Sequence, residues 1–84
     1  MTADKANEID PQDASAWYNK GNTLCILERY EEALEAYDKS IEIDPQDASA
    51  WNNKGLTLAT LERYEASIEA YDKAIALDPN LAGS

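Results

Sequence analysis

The sequence predicts an all-α protein made of two tandem helical hairpins, and three observations carry that prediction. Residues 10–43 and 44–77 are one 34-residue unit written twice with no spacer, identical at 24 of 34 aligned pairs. Within each unit the apolar residues recur at intervals of three and four, the spacing of one helical face. The second helix of each unit is then ended by Asp-Pro, at Asp44-Pro45 and Asp78-Pro79, where proline lacks the amide a helix needs and disfavours helix in the residue before it. A fixed period of this length means that each copy buries its apolar side against its neighbour.

The elements follow in order. Residues 4–11, DKANEIDP, match DKSIEIDP at 38–45 and DKAIALDP at 72–79, so residues 1–9 read as the tail of a preceding unit. Asn7, where the repeats carry Ile41 and Ile75, suggests that this leading tail no longer packs in the core. The first helix of each unit carries Trp17, Gly21, Leu24 and Leu27, or Trp51, Gly55, Leu58 and Leu61, as its core stripe, with Asp13 and Asp47 placed as caps. The second carries Tyr30, Ala33, Leu34, Tyr37 and Ile41, or Tyr64, Ile68, Tyr71 and Ile75. Only Glu28-Arg29 and Glu62-Arg63 turn the chain between them, so the two helices pack antiparallel, with Gly21 facing Ala33 and Gly55 facing Ser67 for close approach. Neither turn has a helix-breaking residue, which leaves open a continuous helix and a domain-swapped dimer. Residues 78–84, interrupted by Pro79 and Gly83, are too short for a covering helix, so Ile68, Tyr71 and Ile75 are expected on a bare face that favours a homodimer or higher oligomer.

Composition narrows the function. The 84 residues hold 17 acidic and 7 basic side chains, a net charge of −10, which opposes nucleic acid and anionic membrane surfaces and favours a basic or neutral protein partner. No apolar run approaches the roughly 20 residues that span a bilayer, and no signal peptide is recognisable, so a soluble, cytoplasmic protein is expected. With no histidine, one cysteine and isolated glycines, the chain assembles no nucleophile with a base, metal cluster or phosphate loop. No enzyme activity and no cofactor or metal is expected. Asp44 to Asp47 lacks the ligand spacing of a calcium loop, and Glu31, Glu32, Glu35 and Asp38 fit the wet face of a helix, with Glu35 and Lys39 spaced for an i,i+4 pair. Cys25, placed away from Trp17, reads as a shielded small side chain or, if exposed, as a site of intermolecular disulfide formation. The repeated aromatics Trp17, Trp51, Tyr37 and Tyr71 read as packing.

These residues resemble the tetratricopeptide repeat (TPR), a 34-residue unit with Trp, Gly, Ala, an aromatic, a small residue and Pro at set offsets. Trp17, Gly21, Leu24, Ala33, Tyr37, Ser40 and Pro45 fill the pattern in the first unit, and Trp51, Gly55, Leu58, Ser67, Tyr71, Ala74 and Pro79 in the second. Lys20 and Lys54 depart from it where leucine is usual, as do Glu28 and Glu62 where glycine is common. The resemblance implies two helix-turn-helix units, 10–43 and 44–77, in a short right-handed α-solenoid, followed by a tail at 78–84.

It also implies that the first helices line a concave groove for a peptide or partner helix. Comparison of the two copies points to the same face, because the mismatches Tyr18/Asn52, Asn22/Leu56, Cys25/Ala59 and Ile26/Thr60 share one side of the helix, read as opposite the core stripe. The candidate binding residues are Tyr18, Asn19, Asn22, Ile26, Asn52, Asn53, Leu56 and Thr60: asparagines to hold a peptide backbone, Tyr18, Ile26 and Leu56 as apolar anchors. Drift at exposed positions would give the same mismatches. Asn22 and Asn53 match two asparagines with which some TPR proteins grip the acidic tail of heat-shock chaperones, but the basic members are missing, with Tyr18 where a lysine would stand. The alternative function is a repeat fragment that assembles with itself and has no ligand of its own.

Overall fold

The structure is a computed structural model that describes residues 12–80. The leading tail with Asn7, and the terminal Gly83-Ser84, lie outside them. Four α-helices and no strand occur among the described residues: α1 (Ala14–Ile26) and α2 (Tyr30–Ile43) form one hairpin, α3 (Ala48–Thr60) and α4 (Tyr64–Leu77) the other, and α3 packs on α2 to join them.

Each first helix starts where an aspartate can cap it. The Asp13 carboxylate accepts from the N–H of Ser15 and Ala16, and that of Asp47 from Ser49 at 3.0 Å, replacing partners that the first turn lacks. Each second helix stops before the Asp-Pro pair, and Asp44 and Asp78 then fold their carboxylates back onto the N–H of Gln46 and Asn80.

The turns inside the hairpins close without glycine. Glu28 and Glu62 adopt φ of 62° and 63°, the left-handed region that L-residues avoid. Around Glu28 the Arg29 N–H donates to Leu24 O at 2.8 Å and the Glu28 N–H to Cys25 O at 2.9 Å, a Schellman closure that Glu62 and Arg63 repeat. The continuous helix that the glutamates left open is therefore not formed.

Two apolar clusters make the core. Leu24, Ala33, Ala36 and Tyr37 are buried inside the first unit, with Trp17, Tyr18 and Cys25 against them. Leu34, Leu58 and Ala70 are buried with Trp51, Leu61 and Ala66 around them, so this cluster is the joint between units. Gly21 is needed for the Tyr37 ring rather than for Ala33: a Cβ there would stand 2.6 Å from Tyr37 Cε1. Gly55 likewise admits the Tyr71 ring, and its carbonyl accepts from Ser67 Oγ at 2.8 Å.

Polar bonds reinforce the joint. Lys54 Nζ lies 2.8 Å from Asp38 Oδ1 and 5.3 Å from the Trp51 ring centroid, which accounts for a lysine where leucine is usual. Arg63 of the second unit pairs with Glu31 of the first. Acidic residues read as merely solvated are thus ties between units, while Glu35 and Lys39 form no ion pair with each other.

Stripe residues without a neighbouring unit stay in solvent. Leu27 is 58% exposed although its counterpart Leu61 packs in the joint, because no unit lies ahead of α1 in the described residues. At the other end Tyr64, Ile68 and Ile75 are 60%, 58% and 42% exposed. Tyr71, expected on that bare face, is instead half-buried against Gly55.

Candidate functional site

The first helices present a polar seam at their junction. The Tyr37 hydroxyl, brought up from α2, donates to Asn22 Oδ1 at 2.6 Å. Asn53 Nδ2 on α3 donates to the same oxygen at 2.9 Å and to the Tyr18 hydroxyl at 3.0 Å. Thr57 Oγ1 donates to Asn53 O at 2.9 Å and lies 3.3 Å from Cys25 Sγ, which is 3.7 Å from the Tyr37 hydroxyl. Since Thr57 and Tyr37 spend their protons on other acceptors, the thiol is the donor in either contact. Burial above all, and then the Cys25 thiol, pushes the Tyr37 hydroxyl well above the ordinary tyrosine pKa.

Two sequence expectations change here. Cys25 does not face away from the core but packs against its edge, between Tyr37 and Thr57. Tyr18 is likewise not on a face opposite the core, since its ring centroid lies 6.0 Å from that of Tyr37. The physical reason is that α3 wedges beside α1, so the side of α1 opposite Trp17 meets α3 rather than water.

Along this seam runs a groove of about 370 Å³, and of the candidate residues Asn22, Ile26, Asn53, Leu56 and Thr60 line it. Tyr18 supports it through Asn53, while Asn19 and Asn52 lie off it. Cys25, Tyr30, Tyr37 and Thr57 also line it and were not among the candidates. The mismatch at Cys25 marked that position; Thr57 is matched by Thr23 in the other copy and gave no signal. Ile26 is 80% and Leu56 52% exposed, so the groove is flanked by two apolar side chains held in water. Chemically it offers apolar contact, hydroxyls and the Asn22 amide donors. Among the described residues no group of three or more His, Cys, Asp or Glu could hold a metal ion, and no helix is long and apolar enough to cross a membrane.

A second recess lies between the helices of each hairpin. In the second unit it measures about 590 Å³, lined by Trp51, Lys54, Leu58, Ala66 and Lys73 among others. Its counterpart in the first, about 230 Å³, carries Trp17, Lys20, Leu24 and Ala36, with Glu32 where the second unit has Ala66.

The model of the tetratricopeptide repeat family matches residues 14–47 and 48–81. The chain belongs to the tetratricopeptide repeat family. Its TPR units, in that frame, each begin at a first helix. Among solved structures the chain is similar to the crystal structure of MamA, at 27% identity and a TM-score of 0.82, covering 83% of this chain and 41% of that one. It also matches the MamA RS-1 ArsTM double mutant, at 23% identity and a TM-score of 0.79, covering 88% of this chain and 42% of that one. The chain thus spans about two fifths of the length of these structures. No curated protein matches it. A TPR module of two units, in the fold of a protein-interaction repeat, is what these findings establish.

Proposed function

We propose that this TPR chain is a non-enzymatic, cytoplasmic interaction module that takes an extended peptide or a partner helix along the groove between α1 and α3. The observation that carries this reading is the pair of exposed apolar side chains, Ile26 and Leu56, on the rim of a groove with polar walls. Apolar anchors beside a few fixed hydrogen-bonding groups are what peptide recognition uses. The net charge of −10 favours a basic or neutral peptide over an acidic one. Tyr18 and Asn53 act by holding the groove's shape, so their removal would disturb the joint between units as well as any binding. Ile26 and Leu56 give the cleaner test. Peptides selected against the chain from a random display library should bind about tenfold or more weakly to the I26E/L56E variant. Equal binding would place the site elsewhere.

Self-association is a second reading, favoured by the contrast between Leu34, 8% exposed under the second unit, and its counterpart Ile68, 58% exposed on α4. Sedimentation equilibrium in reductant should give a mass that rises with concentration, and I68E with I75E should hold it at 9.3 kDa. A monomer at every concentration would remove this reading.

A further inference from the structure

We infer that the chain associates head to tail, the bare face of α4 in one copy docking on the α1–α2 face of the next and repeating the joint that already holds its own two units together. This rests on the self-association reading and adds its geometry.

The internal joint has three parts. Leu34 is buried against Leu58 and Ala70 beside Trp51, Asp38 pairs with Lys54 at 2.8 Å, and Glu31 pairs with Arg63. One repeat further along the chain, α4 carries Ile68, Asp72 and Glu65 at the positions of Leu34, Asp38 and Glu31, and all three are exposed. One repeat back, the first hairpin carries Leu24, Ala36 and Trp17 for Leu58, Ala70 and Trp51, with Lys20 and Arg29 for Lys54 and Arg63. Lys20 and Arg29 are exposed, and the recess beside Trp17, Lys20, Leu24 and Ala36 stands open. The residue types of both ion pairs therefore occur a second time, split between the two ends of the molecule: acids on the tail, and bases on the head, where Arg29 also lies 3.9 Å from Glu32.

That split decides between geometries. A two-fold dimer through α4 would set Glu65 and Asp72 of one copy near those of the other, and like charges facing each other oppose association. Tail on head brings Asp72 to Lys20 and Glu65 to Arg29 while Ile68 enters the recess lined by Trp17, Leu24 and Ala36. Such a contact is heterologous and leaves a free head and a free tail at each step, so it continues into an open chain of copies.

The new joint is weaker than the internal one for stated reasons. Glu32 narrows the receiving recess where the second unit has Ala66. The bonds from Asn53 to Tyr18 and Asn22 have no equivalent, since Asn52 and Leu56 stand at those positions.

Sedimentation velocity in reductant, at physiological ionic strength and over a wide concentration range, tests this with a tail-blocked variant, I68E, and a head-blocked one, K20E/R29E. All three substituted side chains are exposed, and far-UV circular dichroism checks that both variants remain helical. The wild type should grow beyond two copies with concentration. Each variant alone should associate about tenfold or more weakly, and their equimolar mixture should form a complex of twice 9.3 kDa and no larger. If K20E/R29E associates as the wild type does, self-association stands and the head-to-tail geometry falls. If the wild type stays a monomer throughout, both fall.

Discussion

Asn53 on α3 reaches across 2.9 Å to Asn22 on α1, and the oxygen it meets is the one that also accepts the Tyr37 hydroxyl at 2.6 Å. One amide oxygen thus gathers a donor from within the first unit and a donor from the second. The relationship makes Asn22 a register pin between TPR units. It also changes what mutation of the groove measures, because side chains that look ready for a ligand are partly engaged in holding the two first helices in place.

Removing Asn53 should therefore cost stability where removing its repeat counterpart does not. Asn53→Ala deletes two hydrogen bonds from a half-buried amide and leaves the Tyr18 hydroxyl without that donor. A loss of about 1–2 kcal/mol is expected, or a melting temperature lower by roughly 4–16 °C for a domain of this size. Asn19 occupies the same position in the first unit, exposed and off the groove, and Asn19→Ala should stay within about 0.5 kcal/mol. Equal melting of the two variants would show that the seam contributes nothing to the joint.

The two helical glycines should differ from each other in the same manner. Alanine is normally favoured over glycine inside a helix by about 1 kcal/mol, but at both sites the new methyl would strike a tyrosine ring. Tyr37 is buried and hydrogen-bonded, so it cannot move aside, whereas Tyr71 is half-buried next to the bare face of α4 and has room to shift. Gly21→Ala should destabilise by about 1–3 kcal/mol and Gly55→Ala by distinctly less, read from urea denaturation midpoints. The reverse order would mean that the Tyr37 ring is not fixed.

Much of this was legible in the sequence because it is local or periodic. The 34-residue repeat, the Asp13 and Asp47 caps and the Asp-Pro stops all act within a few residues, and the four helices follow from them. What one helix's face does depends on its neighbour, and there the reading failed. Leu27 has the spacing of a core residue but no unit in front of it, and Cys25 has the spacing of an outward residue but α3 beside it. The candidate groove was half legible for the same reason: mismatches between copies marked Asn22, Ile26 and Leu56, while Tyr37 enters from another helix, and Thr57 is matched by Thr23 in the first copy.

The turns carry a correctable strain. A glutamate held at φ of 62° or 63° costs about 1 kcal/mol relative to glycine, which accepts that conformation freely. Both side chains are exposed, so substitution removes little packing. Glu28→Gly and Glu62→Gly should each stabilise by roughly 0.5–1 kcal/mol, the Schellman closure being kept. A lower denaturation midpoint in either variant would mean that the glutamate side chain does more than tolerate its position.

Tyr37 gives the fold a pH limit on the alkaline side. Its hydroxyl is buried and donates to Asn22, and burial together with the Cys25 thiol raises its pKa in the folded state. In the unfolded chain it ionises near its ordinary value of about 10, so above that pH the unfolded state binds fewer protons than the folded one and stability falls as pH rises. Its contribution is complete below about pH 10 and is lost above it, at up to about 1.4 kcal/mol per pH unit until the folded hydroxyl itself ionises. Tyr37→Phe keeps the ring over Gly21 and removes the ionisable group, at a cost of about 1 kcal/mol at neutral pH for the lost bond to Asn22. Urea denaturation of both proteins at about pH 8 and about pH 11 should show the wild type more stable at the lower pH and the difference shrinking or reversing at the higher one. A difference that stays constant between the two would mean that the Tyr37 hydroxyl is open to water in the folded protein.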